Sequence, residues 1–504
     1  MLPIKRIESP ALVFALTLLV FWPCVHFDFV TYDDLILLQT PHRGLGWDSI
    51  RWLFTHAWEG NYTPLSGLTY AVDFALWGNS AFGYHLTNIL FHAANAALFC
   101  LLASELLALG GASAAAIRPA AFLSALLFSV HPLRIQSVAW IAERRDVLCG
   151  FFVLLTLLCW FRRWRGAALA TFLCALLSKA AALPLPAVLL LIDVWPLRQK
   201  ISWKRYAPFF ILSAVFAAIT FLAQSHTGAV LDIAAAAPSV RVKRALIGLV
   251  YYLGKALWPA NLSLYEWHSW EPVRTATILG ATATAGLLVA ARLRPALRRP
   301  ILAALLFQTV LLLPVLGLVT FGHELVADRY SYLSGLGWAL LAGAGLLELA
   351  RRRRAASLLL AAAIVAALVA STRAQLPAWR NTESLWRNVL RVDWKSLLAR
   401  PSLAEALFDQ GRNDEAFNYL EDQLTVYPMD EASRDYLTRR MKETATTPQD
   451  RARHRLRLGL EAEGRSEHLL AAWHFQQAAS LDPIVGRNRH PPFFRRGFIE
   501  PKQP

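Results

Sequence analysis

The feature that most constrains this chain is a succession of apolar runs, each roughly 15 to 25 residues long, the length at which a helix crosses a hydrocarbon layer of about 30 Å. They lie near residues 11–27, 84–108, 119–131, 147–161, 166–178, 181–197, 206–224, 275–291, 301–320, 333–350 and 355–373. With 504 residues that are 56% hydrophobic and only 17% charged, and a mean hydropathy of +0.38, the chain carries more apolar surface than one soluble core can bury. No period-2 barrel pattern appears, so each segment must satisfy its own backbone polar groups as a helix. The expected fold is all-α: a polytopic membrane helix bundle of about eleven spans with a small helical domain after it.

A net charge of +16 would suggest nucleic acid in a soluble protein, but here its distribution reads as membrane topology, with no nucleic-acid partner. Basic clusters fill alternate short loops: Lys5 and Arg6, Arg162 to Arg165, Arg198 to Arg205, Arg292 to Arg299, and Arg351 to Arg354. The loops between them hold Asp28, Asp33, Asp34, Asp48, Glu143, Asp146 and Asp328. The positive-inside rule therefore sends the acidic set outward, with a cytoplasmic amino terminus and the carboxyl terminus outside. No small-residue cleavage site follows the run from Ala11 to Val20, and Trp22 and Pro23 come next, so the first span is read as retained. The stretch Ala245 to Trp258 is apolar too, but counting it as a span would place the cluster at 292–299 outside; it is expected along the outer interface.

The first outward loop, 28–83, contains Trp47, Trp52, Trp58 and Trp77. A loop that long is expected to carry short helices, near 47–57 and 63–77, with aromatic rings at headgroup depth. After Arg373 the chain turns polar and two similar stretches appear, at 403–428 and 456–483. Each reads helix, Gly-Arg turn, helix, proline, with Gly411 and Gly464 at the turns and Ala416 and Ala472 at close-packing positions.

Acidic and basic side chains concentrate at outward membrane boundaries. Asp33 and Asp34 follow the first span, and either carboxylate there can accept a proton from an attacking hydroxyl, or can simply cap a loop end. The segment HPLRIQSVAWIAERRD, 131–146, gathers Arg134, Glu143, Arg144, Arg145 and Asp146. Guanidinium forks suit phosphate oxygens, and the same residues suit a structural ion-pair network. Lys179, the run RVKR at 241–244, Lys255, and Asp328 with Arg329 add polar groups on that side. His85 and His92, seven residues apart, share a helix face with Asn88 and Asn95 nearby. They read as helix-to-helix hydrogen bonds, and no metal site is assigned. The five cysteines, beside or within apolar runs, show no metal or disulfide spacing.

Together, YDD at 32–34, NYTPL at 61–65, FHAAN at 91–95, the 131–148 segment, LLSK at 176–179, DVWPL at 193–197, YYLGKALWPANLS at 251–263 and ADRYSYL at 327–333 carry a resemblance. The chain resembles the transmembrane and tetratricopeptide-repeat proteins, whose membrane part is similar to the protein O-mannosyltransferases of the polyprenyl-phosphate-sugar-using superfamily. The resemblance implies an inverting glycosyltransferase with no nucleotide sugar, no metal and no cofactor, the lipid-linked sugar being the donor. It places Asp33 or Asp34 as catalytic base, and Arg134, Arg144, Arg145, Lys179 and Lys255 on the carrier phosphate. Glu143, Asp146, His92, Asp328 and Arg329 become supporting polar residues.

The resulting expectation is a transferase-like part at 1–373, a tetratricopeptide-like domain at 374–486 that binds a protein or peptide acceptor, and a loose tail at 487–504. The active side and the repeats would face the periplasm of a bacterial inner membrane. The rival expectation is a catalytically silent, membrane-anchored scaffold whose repeats recruit proteins. A transporter ranks last, since no paired broken helices are evident.

Overall fold

A computed structural model describes residues 8–426 except 35–36, 38–42, 59, 195–198, 227–236, 265–269, 318–325, 351–353 and 397, with isolated positions beyond. Among the described residues there are no strands, only a bridge between Trp58 and Asn61. In chain order the helices are α1 (Glu8–Phe21), α2 (Trp47–Thr55), α3 (Pro64–Trp77), α4 (Ala81–Leu109), α5 (Ala114–Ser129), α6 (Ile135–Ala139), α7 (Arg144–Phe161), α8 (Arg165–Ser178) and α9 (Leu185–Val194). They continue as α10 (Trp203–His226), α11 (Pro238–Leu257), α12 (Trp270–Leu293), α13 (Pro295–Leu312), α14 (Ser331–Ala350), α15 (Arg354–Gln375), α16 (Thr382–Val392), α17 (Ala399–Asp409) and α18 (Asn413–Val426).

Each expected apolar run is helical over most of its described residues, and the protein is an integral, multi-pass membrane protein. Seven helices are long and apolar enough to cross a bilayer, eight if α5 and α6, bent by 58° across a break, are counted as one. The remainder differ for physical reasons. α7 carries three charges at its start, while α8 and α9, with 14 and 10 residues, reach only about 21 and 15 Å at 1.5 Å per residue. The turn at Lys179 divides what the sequence presents as a nearly continuous apolar stretch.

Small and polar residues hold the bundle together where lipid tails offer no hydrophobic drive. Gly254 of α11 and Gly280 of α12 face each other's backbone: a methyl on either would fall 1.8 or 1.7 Å from the carbonyl oxygen of Ala276 or Val250. Thr17 Oγ1 donates to Ser129 Oγ at 2.9 Å, tying α1 to α5. His92 lies between Tyr332 Oη (2.8 Å) and the Ser129 carbonyl (2.9 Å), while Asn95 Nδ2 donates to Val147 O (2.7 Å) and Tyr332 Oη (2.8 Å). Four elements thus meet around one buried tyrosine.

The chain forms two compact units, Met1–Leu385 and Trp386–Pro504. In the second, α17 and α18 meet at Gly411, whose φ of +73° suits glycine alone. Ala416 is fully buried, and the Phe408 and Phe417 rings pack edge to face at 5.4 Å. This is the helix, Gly-Arg turn, helix of the first repeat-like stretch. The second, 456–483, lies almost wholly outside the described residues, as does the tail at 487–504.

Candidate active site

Four segments distant in sequence converge at one end of the bundle. The first is the turn after the first span. Asp28 N–H donates to Arg380 O (2.9 Å), and Thr31 N–H and Oγ1 both reach Thr382 Oγ1, at 2.9 and 3.1 Å. Asp34 completes the attachment: its two carboxylate oxygens accept the backbone N–H groups of Val30 (3.1 Å) and Ala142 (2.8 Å). Burial raises the Asp34 carboxyl to about 7 even though both of those bonds favour the ionised form.

Asp33 has the opposite surroundings. Its side chain is 36% exposed, and its Oδ2 lies 3.8 Å from Arg145 Nη2. Arg145, at the start of α7, donates to Glu143 Oε1 at 2.9 Å. The other oxygen of Glu143 accepts Lys179 Nζ at 2.7 Å, and Lys179 also donates to Asp146 Oδ1 at 2.8 Å. Arg329, from the turn preceding α14, brings its Nε to 3.5 Å from Glu143 Oε1. Ser137 Oγ donates to the second oxygen of Asp146 at 2.9 Å.

The result is a rigid array: three cations on separate segments, organised by one buried glutamate. Burial alone would raise the Glu143 carboxyl, but Lys179, Arg145 and Arg329 outweigh it and hold it well below the carboxylate range. Asp146 moves the other way, raised by burial and by the neighbouring Glu143 charge against the pull of Lys179. The cationic heads remain partly open, Arg145 and Lys179 at 18% each, whereas Glu143 is enclosed at 2%. Aromatic rings flank the array: Arg329 sits over Trp140 and Tyr330, at 5.6 and 5.0 Å from the ring centres, and Trp140 contacts Tyr32 and Trp379.

Three arginines and lysines expected on the carrier phosphate are placed elsewhere. Arg144 is fully enclosed, bonded to Asn88 Oδ1 (2.7 Å), Tyr84 O (2.8 Å) and Asp73 Oδ2 (2.5 Å), with Tyr70 beneath its guanidinium. Arg134 donates to Ser331 O and Oγ between the rings of Phe128 and Tyr332. Lys255 is buried with its ammonium on the carbonyls of Ala260 and Asn261. Each is sequestered by protein, so the phosphate role for these three is corrected to a structural one. Among the expected supporting residues, Arg329 joins the cation array, Glu143 and Asp146 organise it, and His92 belongs to the span-to-span network. Asp328 is buried in its turn, its carbonyl accepting Ser331 Oγ at 2.7 Å. Among the described residues, no group of three or more His, Cys, Asp or Glu side chains has a metal-binding arrangement.

Curated relatives bear the names that the motifs anticipated. Protein O-mannosyl-transferase TMTC2 of Mus musculus is 32% identical over 194 residues, 35% of this chain and 22% of the relative. Protein O-mannosyl-transferase TMTC1 of Homo sapiens is 25% identical over 493 residues, 83% of this chain and 55% of the relative. Over these stretches the chain is similar in sequence to proteins named protein O-mannosyl-transferases. It spans only about half, or less, of the length of these relatives. No family model matches the chain. A solved structure, ArnT from Cupriavidus metallidurans in the apo state, aligns over 81% of this chain and 73% of that one, at 15% identity and a TM-score of 0.40.

Asp73, the partner of Arg144, is not among the residues that the sequence singles out. Its signal was available: a lone acid inside the apolar helix LTYAVDFALW must find a cation when buried. The contacts of Trp140 and the Thr31–Thr382 tie had no signal, because both depend on segments more than 100 residues apart meeting in space.

Proposed function

We propose that this protein is an inverting glycosyltransferase that moves a sugar from a polyprenyl-phosphate donor to a hydroxyl acceptor at the non-cytoplasmic membrane face, with Asp33 as general base. The observation that carries the reading is the juxtaposition of an accessible carboxylate with three preorganised cations, Asp33 lying 3.8 Å from Arg145 beside Lys179 and Arg329. Asp33 takes the proton of the acceptor hydroxyl as its oxygen attacks the anomeric carbon. The bond from that carbon to the phosphate oxygen breaks, and its electron pair departs on the phosphate. Arg145, Lys179 and Arg329 take up the developing charge, a role for which fixed donors in a low-dielectric site are effective. In this reading no cofactor enters, the leaving group being supplied by the donor itself.

Asp34 acts differently: it clamps the turn that presents Asp33 to the 141–142 segment. The names of the relatives favour a protein hydroxyl as acceptor and mannose as the sugar, and the helical hairpin of α17 and α18 suits a repeat surface that presents peptide. The charge asymmetry of the loops favours this site on the non-cytoplasmic side, which in a bacterial inner membrane is the periplasm.

The test is transfer by the purified full chain from a panel of polyprenyl-phosphate sugars to a peptide mixture. Asp33→Asn is expected to lower turnover by about 10²- to 10⁴-fold, the usual worth of a general base, while expression and donor binding persist. Wild-type turnover preserved in that variant would remove the base. Peptide capture with no turnover from any donor would favour the silent scaffold.

A further inference from the structure

A cavity lies at the opposite end of α7 from the acid and cation array, roughly 27 Å away along an 18-residue helix that begins at Arg144 and ends at Phe161. Its volume is about 210 Å³, and Glu105, Trp160, Arg163, Arg165, Asp193 and Gln199 line it with two apolar side chains. Nothing in the proposed transfer uses these residues.

Three observations describe how this cavity is built. The first is Arg163, whose φ is +62°. α7 ends in a Schellman turn, with Arg163 N–H donating to Trp160 O (3.0 Å) and Trp164 N–H to Cys159 O (2.9 Å). Arg163 occupies the position where glycine is normally found, so an L side chain stands there against its backbone preference. The second is Arg165. Its guanidinium is held 5.0 Å over the Trp160 ring, yet its buried Nη1 meets no acceptor among the described residues, and a buried donor of that kind calls for a partner. The third is the floor. Asp193 accepts Trp160 Nε1 (2.9 Å) and Tyr206 Oη (2.6 Å), fixing the tryptophan wall, and Gln199 N–H is tied to Asp193 O at 2.8 Å.

We infer that this cavity binds a phosphate ester carrying a hydrogen-bond donor, with Arg163 and Arg165 taking the phosphate. The fork of a guanidinium fits phosphate oxygens, Glu105 at the rim accepts a hydroxyl or ammonium of the same ligand, and Leu109 and Phe161 offer apolar wall. A membrane lipid headgroup and a small soluble phosphate ester share this chemistry.

The test uses the full chain in nanodiscs of phosphatidylcholine doped with phosphatidylglycerol, with retained lipid read by native mass spectrometry. A parallel arm adds glycerol 3-phosphate, or inorganic phosphate, to protein in phosphatidylcholine alone and reads thermal stability. Wild type is expected to retain phosphatidylglycerol, or to be stabilised by the soluble phosphate, and which arm responds names the source. Arg163→Gly and Arg165→Gln are each expected to weaken that response about tenfold or more, as for loss of a charge-assisted contact. Arg163→Gly relieves the backbone at a site that favours glycine, so its effect does not come from misfolding. Arg162→Gln, outside the cavity, controls for general loop charge. Equal retention in both cavity variants, an equal loss in Arg162→Gln, or no response of wild type in either arm would overturn the assignment.

Discussion

Asp33 and Asp34 carry the same functional group, and their neighbours make them different reagents. Asp34 is buried on two backbone N–H groups, with its carboxyl at about 7; Asp33 is open beside Arg145. Because the folded value for Asp34 lies above the ordinary 3.8, the folded chain holds its proton longer than the unfolded chain does. Its contribution to stability is full below about pH 4 and is lost as pH rises through about 7. Asp34→Asn removes that titration and leaves one acceptor oxygen for two N–H groups, at a cost of about 1 kcal/mol. Melting temperature measured at intervals from pH 5 to 8 should therefore fall more steeply in wild type than in the variant. Parallel curves would show that Asp34 does not titrate in this window. The sequence shows a DD pair and cannot rank its members. Arg144 and Arg145 teach the same lesson: a turn of about 100° per residue sends one guanidinium inward to Asp73 and the other to Glu143 and Asp33. That clustered charges meet at one membrane face was readable from motif positions; which members are exposed is decided by helix phase and by partners remote in the chain.

Among the helices, those with a strong hydropathy signal were readable and those defined by packing were not. The loop helices α2 and α3 follow from tryptophan spacing and loop length, and the long spans from apolar runs. The pairing of α11 with α12 is different, because Gly254 and Gly280 are unremarkable in sequence until their backbones are seen to meet. A side chain at Gly254 strikes the Ala276 carbonyl, an atom that no rotamer change can move. Gly254→Val is expected to lower stability by about 3 kcal/mol or more, beyond the usual 1–3 kcal/mol of core overpacking. Gly286, on the same helix α12, has nothing within 4 Å of an added Cβ. Gly286→Ala should be neutral or slightly stabilising, since alanine is the better helix former. Thermal unfolding of the two variants in one detergent checks the contrast. Similar melting points would mean that the helices do not depend on this close approach. Lys255 sits one residue beyond Gly254 with its ammonium on the Ala260 and Asn261 carbonyls, so a shifted α11 would also disturb the chain leaving it.

Across the whole molecule, one arrangement of charge has to serve both topology and chemistry. The basic loops obey the positive-inside rule except at the proposed active end, where Arg145, Lys179 and Arg329 accompany Glu143, Asp146 and Asp33. Pairing would lower the cost of holding those cations on an outward side, so the departure from the rule coincides with the proposed site. α7 fixes the geometry of the two ends, with Arg145 in the array and Phe161 at the cavity. If α7 crosses the membrane as proposed, its two ends face opposite compartments, and that orientation can be read directly. In a background with all five native cysteines replaced, Ser80→Cys, just before α4 on the outward loop, is expected to react with a membrane-impermeant maleimide in spheroplasts. Trp164→Cys, exposed between α7 and α8, should react only after the membrane is opened. If all eleven apolar runs cross, a third site is informative: Ser402→Cys, in α17, should then label with Ser80→Cys. Labelling of Trp164→Cys in sealed cells would turn the acid and cation array toward the cytosol, where a sugar carried outward on polyprenyl phosphate could not reach it. Labelling of Ser402→Cys only after lysis would instead leave the site in place and make the number of crossings even, with α9, whose 10 residues reach only about 15 Å, the first to be reassigned.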